Sequence, residues 1–268
     1  MPLLTPRLRQ HPCFGSCGAG SYGRIHLPVA PRCNVQCAFC QRKYDCVNES
    51  RPGVTSQILT PEQALLRTRE AVRAEPRIRV AGIAGPGDPL ANDETFETLR
   101  LVHSVLPELI CCLSTNGLWL EERLEELLDC GVETLTVTVN TRNADTAAKI
   151  YRYVQGPNGP LTGAEAGEYL VEKQRRGLEM CRDRGLAIKL NTVLIPGIND
   201  REIGEIAQWG KALGASVMNV MPLIPCGSLA SWQSPTLQQL AEARRRAAEE
   251  VPILAHCRQC RADAVGIV

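Results

Sequence analysis

Six short apolar segments alternate along the chain with six longer segments of helical character. The apolar segments, which we interpret as strands, are Ile25–Ala30, Ile78–Ala84, Ile110–Ser114, Thr134–Val139, Ala187–Val193 and Val217–Met221. The helical segments lie near Pro61–Ala74, Asp93–Leu106, Leu120–Cys130, Ala164–Arg184, Asp200–Leu213 and Pro235–Glu250, with Thr60 and Asp200 as N-cap candidates. Repeated strand-then-helix units predict a parallel sheet in one domain, and they fit a doubly wound sheet and a barrel equally well.

Polar and glycine-rich motifs follow the ends of these strands. Three cysteines follow the first strand, GPGDP the second and STNG the third, whereas VN, IPGIND and MPLIP follow the other three. In α/β folds, the loops at the carboxyl ends of parallel strands carry the chemistry. We therefore expect the functional site at this edge of the sheet.

The three cysteines after the first strand have the spacing C-x3-C-x2-C. They are Cys33, Cys37 and Cys40, with the aromatic Phe39 before the last. Three thiolates on one loop can hold three irons of a four-iron cluster and leave the fourth iron open to a substrate. A structural zinc ion normally needs a fourth close ligand, so the spacing favours a reactive cluster over zinc or buried thiols.

Further histidines and cysteines lie at both ends of the chain. HPCF contains His11 and Cys13, with Cys17 beyond, and the tail sequence CRQC contains Cys257 and Cys260. The first group, His11, Cys13 and Cys17, is as typical of a loop as of metal ligands. The C-x2-C pair indicates a metal site, with zinc as an alternative if two more ligands join it, and a thioredoxin-like pair is disfavoured because no strand-to-helix context surrounds it.

The composition excludes several classes of function. A formal net charge of +1 supplies no electrostatic reason to bind nucleic acid or an anionic membrane. No window approaches the roughly 18 apolar residues of a membrane span, and prolines and arginines interrupt the N-terminus where a secretory signal needs an apolar run. Thirteen cysteines in 268 residues are too few for a disulfide scaffold. We expect a cytoplasmic protein with reduced thiols.

The triplet CNVQCAFC resembles that of the radical S-adenosylmethionine enzymes. Further motifs resemble one family among them, the maturases of the nitrogenase cofactor: HPCF, RKYDC-x-NESRPG, AGPGDPL, LSTNGL, VLIPGIND and CRQCRADAVG. This resemblance extends over nearly the whole chain. It implies an incomplete (βα)6 TIM-like barrel over residues 25–250, with an N-terminal arm (1–24) and a C-terminal tail (251–268) that carry cluster ligands.

The resemblance also implies roles for individual residues. The triplet would hold the radical cluster, and Glu49, by itself typical of a surface carboxylate, would ligate an iron or shuttle a proton. Residues expected to contact S-adenosylmethionine are Phe39, Gly85, Gly87, Asp88, Asn140, Asn191, Ile198 and Met221. Expected ligands of two auxiliary four-iron clusters are His11, Cys13, His26, Cys46, Cys112, Cys257 and Cys260.

Some of these assignments have a structural alternative. GPGDP departs from the family's Gly-Gly-Glu motif, and by position Asp88 would be its acidic residue. The structural alternative for GPGDP is a simple turn. A lone cysteine such as Cys46 is more typical of packing than of ligation. Of the adjacent Cys111 and Cys112 only one can face the interior of a barrel, and the family motif, with its cysteine two residues before the serine, selects Cys112. Cys130 and Cys181, in helical segments, are expected in the core.

The implied activity is fusion of two four-iron clusters, with a carbide derived from S-adenosylmethionine and an added sulfide, into the eight-iron precursor of the nitrogenase cofactor. The implied partners are an iron-sulfur donor, a cofactor carrier or scaffold, and a small electron donor such as ferredoxin or flavodoxin. The chain lacks the carrier-like domain found in many family members, which predicts a short form. Two alternatives are a radical enzyme that acts on an organic substrate and uses auxiliary clusters as anchors, and a non-catalytic iron-sulfur scaffold.

Overall fold

The fold is a mixed sheet of seven strands that curves into a half-barrel with helices on its outer face. The computed structural model describes residues 5–14, 20–48, 53–257 and 259–268. Six strands run parallel, in the order β1 (Gly23–His26), β3 (Ile78–Ile83), β4 (Ile110–Thr115), β5 (Val132–Thr138), β8 (Ala187–Leu194) and β9 (Ala215–Pro222). The short strand β10 (Val265–Ile267) pairs antiparallel with β1 at one edge. The α/β half-barrel and its six parallel strands confirm the predicted fold class.

The outer face of the sheet carries the main hydrophobic core. The helices that cover it are α1 (Pro61–Ala74), α2 (Asp93–Val105), α3 (Leu120–Asp129), α5 (Gly163–Asp183), α6 (Ile203–Ala212) and α7 (Leu237–Ala248). Their bounds lie within a few residues of those predicted. Cys111, Cys130 and Cys181 are buried in this core, as the sequence predicted.

Helix starts follow local side-chain chemistry. Thr60 and Gln63 form a capping box at α1, with Pro61 in the first turn, as its sequence indicates. The predicted cap at Asp200 was wrong, because α6 begins later, after Glu202. Asp200 instead accepts a hydrogen bond from the Gly197 backbone N–H at 3.0 Å.

A second, smaller sheet was not predicted. It joins β2 (Val35–Cys37), β6 (Tyr151–Gly156) and β7 (Gly159–Leu161) in antiparallel pairs, and the short helix α4 (Ala144–Ile150) leads directly into β6. The first predicted strand is correspondingly shorter, since its ladder ends at His26. Part of the cysteine loop is therefore held as a β-strand by a hairpin more than 100 residues away.

The described parts of both chain ends close the interior of the half-barrel. Leu8–Gln10 forms a 3-10 turn, and the Gly20 backbone N–H donates to Val268 O at 2.5 Å. Within the described ranges, no helix is long and apolar enough to span a membrane.

Candidate functional site

The predicted triplet converges on one cavity. Cys33 precedes β2, Cys37 ends it, and Cys40 follows within the same turn. Residues from the loops after β3 and β4 complete the wall. The cavity, called here the triplet cavity, is lined by Cys33, Cys37, Cys40, Arg42, Cys46, Asn48, Gly87, Asp88, Ser114, Thr115 and Asn116, among others.

The GPGDP loop holds the cysteine loop in place. The Gly87 backbone N–H donates to Ala30 O at 2.6 Å, and the Asp88 backbone N–H donates to Arg32 O at 2.8 Å. A Cβ on Gly87 would lie 2.1 Å from Arg32 O, so only glycine permits this close approach of the two backbones. GPGDP is therefore a clamp on the cluster loop as well as part of the cavity wall.

The Asp88 carboxylate is already engaged by the protein. It accepts hydrogen bonds from Thr115 Oγ1 at 3.0 Å, from the Asn116 backbone N–H at 2.6 Å and from the Leu90 backbone N–H at 3.0 Å. Burial raises the pKa of Asp88 to about 6, against the lowering effect of these donors. Asp88 thus joins the loops after β3 and β4, and its predicted contact with S-adenosylmethionine stays a prediction.

Burial raises the pKa of all three triplet thiols above its ordinary value. Ligation of a metal requires the thiolate, so cluster assembly here must release protons. Arg42 donates to Gln36 Oε1 and to Val35 O, and its guanidinium charge lowers the pKa of the same thiols. Arg42 is the cation available to offset a negatively charged cluster.

Six of the predicted auxiliary ligands line a second cavity inside the half-barrel. This barrel cavity is enclosed by the N-terminal arm, strands β1, β3, β4, β5, β8 and β9, and the C-terminal tail. Its lining includes His11, Cys13, Arg24, His26, Cys112, Ser114, Lys189, Asn191, Asn219, Cys257 and Cys260. The remaining predicted auxiliary ligand, Cys46, lies in the triplet cavity instead.

The two histidines of the barrel cavity present different atoms. His26 Nδ1 lies 2.8 Å from the Arg261 carbonyl oxygen, which can only accept, so Nδ1 carries the proton and Nε2 keeps its lone pair for a metal. His11 Nδ1 accepts a hydrogen bond from the Cys13 backbone N–H at 3.0 Å, which places the proton of the neutral ring on Nε2. His26 is therefore the better prepared ligand.

Both rings are neutral at pH 7. Burial, and next the charge of Lys189, lower the pKa of His11 to about 3. Burial, and next the charge of Arg24, lower the pKa of His26 to about 4. Neutral imidazole is the form that ligates metals.

The barrel cavity contains buried polar atoms that the described part of the protein leaves without a hydrogen-bond partner. They are His11 Nε2, Arg24 Nε and Asn219 Oδ1. Orphaned polar atoms beside thiols and imidazoles fit a bound group larger than one ion. No three His, Cys, Asp or Glu side chains of the described ranges converge on a point where a single metal ion would sit.

Several predicted residues lie outside both linings. Phe39 and Met221 are buried in a second hydrophobic core behind the triplet, and Ile198 packs against it. Asn140 is fully buried and donates to Tyr151 Oη at 3.3 Å. Gly85 lies beside the tail, since a Cβ there would be 3.6 Å from the Ala262 Cβ. Glu49 and Cys17 lie outside the described residues.

Sequence reasoning missed Arg42, Lys189 and Asn48. A signal existed for Lys189: in the apolar strand AIKLNTVL, Lys189 and Asn191 are two apart and so share one face. Asn219 has the same alternation on β9. For Arg42 and Asn48 the sequence carries no signal, because their partners come from the fold of the loop.

Comparisons with known proteins identify the family of this chain. The profile of the Radical SAM superfamily matches residues 27–210. The chain is 46% identical to the FeMo cofactor biosynthesis protein NifB of Klebsiella pneumoniae, a match that covers 100% of the chain and 58% of that protein. It is 41% identical to the protein of the same name from Azotobacter vinelandii, over 99% of the chain and 54% of that protein. The chain thus spans a little over half the length of these relatives.

Solved structures show the same fold at low sequence identity. A radical SAM methyltransferase from Sphaerobacter thermophilus matches with a TM-score of 0.57 and 22% identity, over 87% of this chain and 64% of that one. Methylornithine synthase matches with a TM-score of 0.55 and 15% identity, over 96% and 79%.

Proposed function

The chain belongs to the radical SAM superfamily of enzymes, and from that premise we propose that it acts in FeMo-cofactor biosynthesis as NifB-type relatives do. In this proposal it fuses two four-iron clusters, with a carbide from S-adenosylmethionine and an added sulfide, into an eight-iron precursor. The observation that carries the proposal is the pairing of two thiol-lined cavities in one half-barrel, which share Ser114 as a common wall. The second set of thiol and imidazole side chains supplies the ligands that cluster substrates would need.

The triplet cavity is the proposed site of the resident cluster and S-adenosylmethionine. When bound, this cluster supplies the electron that cleaves S-adenosylmethionine and starts radical chemistry. Cys33, Cys37 and Cys40 would hold three irons, and Arg42 would offset the added negative charge. The part of the cavity wall that contains Gly87, Asp88 and Ser114 would orient S-adenosylmethionine and exclude water.

The barrel cavity is the proposed site of the substrate clusters. Cys13, Cys112, Cys257 and Cys260 offer thiols, and His26 offers a neutral nitrogen. A neutral nitrogen binds iron less strongly than a thiolate, which would let a finished product leave more readily. Replacing His26 by Cys should then slow product release, whereas unchanged release would count against this role.

Outside the cavities, the proposal needs partners. It requires a donor of iron-sulfur clusters, a carrier or scaffold protein that accepts the product, and a small electron donor in the cytoplasm. For Glu49 we propose an iron ligand or a proton shuttle. Glu49→Gln should alter the cluster spectra or turnover, and intact spectra with full turnover would remove both roles.

The test is anaerobic iron quantification with electron paramagnetic resonance (EPR), before and after adding S-adenosylmethionine. About twelve irons per chain, loss of the auxiliary signals and formation of deoxyadenosine would support cluster fusion. About four irons per chain would indicate a radical enzyme with an organic substrate, and twelve unchanged irons without deoxyadenosine would indicate a scaffold. Cys33→Ala should abolish cleavage of S-adenosylmethionine, and retained cleavage would contradict the proposal.

A further inference from the structure

Three buried asparagines form a hydrogen-bonded chain between the two cavities. Asn48 Nδ2 lies 3.5 Å from Cys37 Sγ. Asn191 Nδ2 donates to the Asn48 backbone carbonyl at 3.2 Å. Asn219 Nδ2 lies 3.3 Å from Asn191 Oδ1 and 3.2 Å from Cys257 Sγ. A thiol of the triplet is thereby joined to a thiol of the tail through the interior of the half-barrel.

The surrounding fold fixes the orientation of this chain. Asn140 Nδ2 donates to Asn48 Oδ1 at 3.2 Å, so the amide group of Asn48 turns its N–H toward the thiols. Asn191 and Asn219 are register partners on the paired strands β8 and β9. The exposed fractions of Asn48, Asn191 and Asn219 are 5%, 2% and 0%. Because amide side chains do not titrate, these hydrogen bonds keep their direction over the whole working pH range.

Asn48 and Asn219 direct their side-chain N–H groups at the sulfurs, and the hydrogen bonds of Asn219 are not all satisfied by the described surroundings. Asn219 Oδ1 is buried with no hydrogen-bond partner in the described ranges, while Nδ2 of the same side chain lies near Cys257 Sγ. A buried amide with an orphaned oxygen is costly, so a purely structural role explains it poorly.

We propose that Asn48, Asn191 and Asn219 are positioning residues that keep the two cluster sites at one separation and raise the reduction potential at each end. An N–H donor to a cluster sulfur stabilises the more negative, reduced state, which raises the potential. The inference rests on the proposed function, because it needs an auxiliary cluster at Cys257.

The test is an anaerobic redox titration of the full, iron-loaded chain, followed by EPR. Asn219→Leu removes the N–H near Cys257, so the potential of the tail cluster should become more negative while that of the triplet cluster stays unchanged. In Asn48→Leu, the potential of the triplet cluster should become more negative while that of the tail cluster stays unchanged. Asn219→Asp is a second variant in case Asn219→Leu binds little iron. It keeps the shape of the side chain, replaces the donor by an acceptor and should also make the tail potential more negative.

Thr192→Val is the matched control. Thr192 is the buried neighbour of Asn191 on β8, and its hydroxyl donates to Val139 O on the opposite face of the strand at 2.6 Å. This variant should lower stability and leave both potentials unchanged. Asn191→Leu touches neither sulfur and should broaden the distribution of distances between the clusters, measured by dipolar EPR.

The outcomes separate this inference from the proposed function. Full iron loading with wild-type potentials in Asn219→Leu and Asn219→Asp would overturn the inference alone. The same shift in Thr192→Val would also overturn it, because general repacking would then be the cause. A wild-type chain that binds only about four irons would overturn the proposed function and this inference together.

Discussion

Gly87→Ala tests whether the GPGDP loop clamps the cluster loop. The new methyl group would lie 2.1 Å from the Arg32 carbonyl oxygen and 2.9 Å from the Pro31 carbonyl oxygen. Both neighbours are backbone atoms and cannot turn aside as a side chain would. The two loops must therefore separate by more than an ångström to reach ordinary contact distance.

This separation breaks two backbone hydrogen bonds, from the Gly87 N–H to Ala30 O and from the Asp88 N–H to Arg32 O. At about 1 kcal/mol each, with the added cost of shifting buried groups, we expect a loss of about 2–4 kcal/mol in the free energy of unfolding. Because the displaced loop carries Cys33, we also expect loss of the triplet cluster. Urea unfolding of the metal-free chain measures the first effect, and iron content with cleavage of S-adenosylmethionine measures the second.

The control is Gly204→Ala. Gly204 lies in α6, and a Cβ there would meet nothing within 4 Å, so the substitution should stabilise the chain by about 0.5–1 kcal/mol and leave iron content unchanged. If Gly87→Ala kept both the stability and the iron content of the wild type, the clamp would be refuted. If Gly87→Ala lost stability but kept the normal iron content, the close packing of this glycine would matter for folding and not for holding the cluster.

Three further predictions follow from the barrel cavity. Cys112→Ala should lower the auxiliary iron content, whereas Cys111→Ala, one residue away on the outer face, should cost only core stability; equal iron content in both variants would exclude Cys112 as a ligand. Burial lowers the pKa of His26 from 6.5 to about 4, so between these pH values the unfolded chain binds a proton there and the folded chain does not. Acidifying the metal-free protein from pH 7 to 5 should therefore lower the free energy of unfolding by about 2 kcal/mol through this residue. In His26→Gln, urea unfolding should show a pH dependence smaller by that amount, and an unchanged dependence would refute the assignment. Lys189→Met removes a buried charge beside the thiols, so a chelator should strip the auxiliary iron about tenfold faster, equivalent to ~1.4 kcal/mol, and equal rates would exclude charge compensation.

Local patterns in the sequence were sufficient for the framework. The strand-then-helix alternation predicted six parallel strands and their helices, since apolar periodicity and caps such as Thr60 act over a few residues. Alternation along β4 agrees with the observed directions of Cys111 and Cys112. Asp200 shows the limit of such reasoning, because a cap residue is decided by where the preceding turn ends.

Contacts between distant segments decided the rest. The hairpin of β6 and β7 has a local strand signal in YRYV and a turn signal in PNG, but no local pattern shows that it pairs with β2, more than 100 residues earlier. Asp88 likewise acquires Thr115 as a partner because the fold brings two loops together, whereas the partners of Arg42 depend on the fold of its own loop. No spacing rule in the sequence reports such contacts.

The sequence by itself determined the α/β class and the presence of a three-thiol loop, because both depend on short-range periodicity and spacing, whereas the expectation of a barrel came from the family resemblance. Only the tertiary structure divided the other predicted ligands between two cavities, placing Cys46 beside the triplet and Cys13, His26 and Cys257 inside the half-barrel. It also decided that His26 presents a lone pair and that three asparagines join the cavities. Such arrangements depend on the position of each atom relative to residues far away in the chain, and that position exists only once the sheet has closed around them.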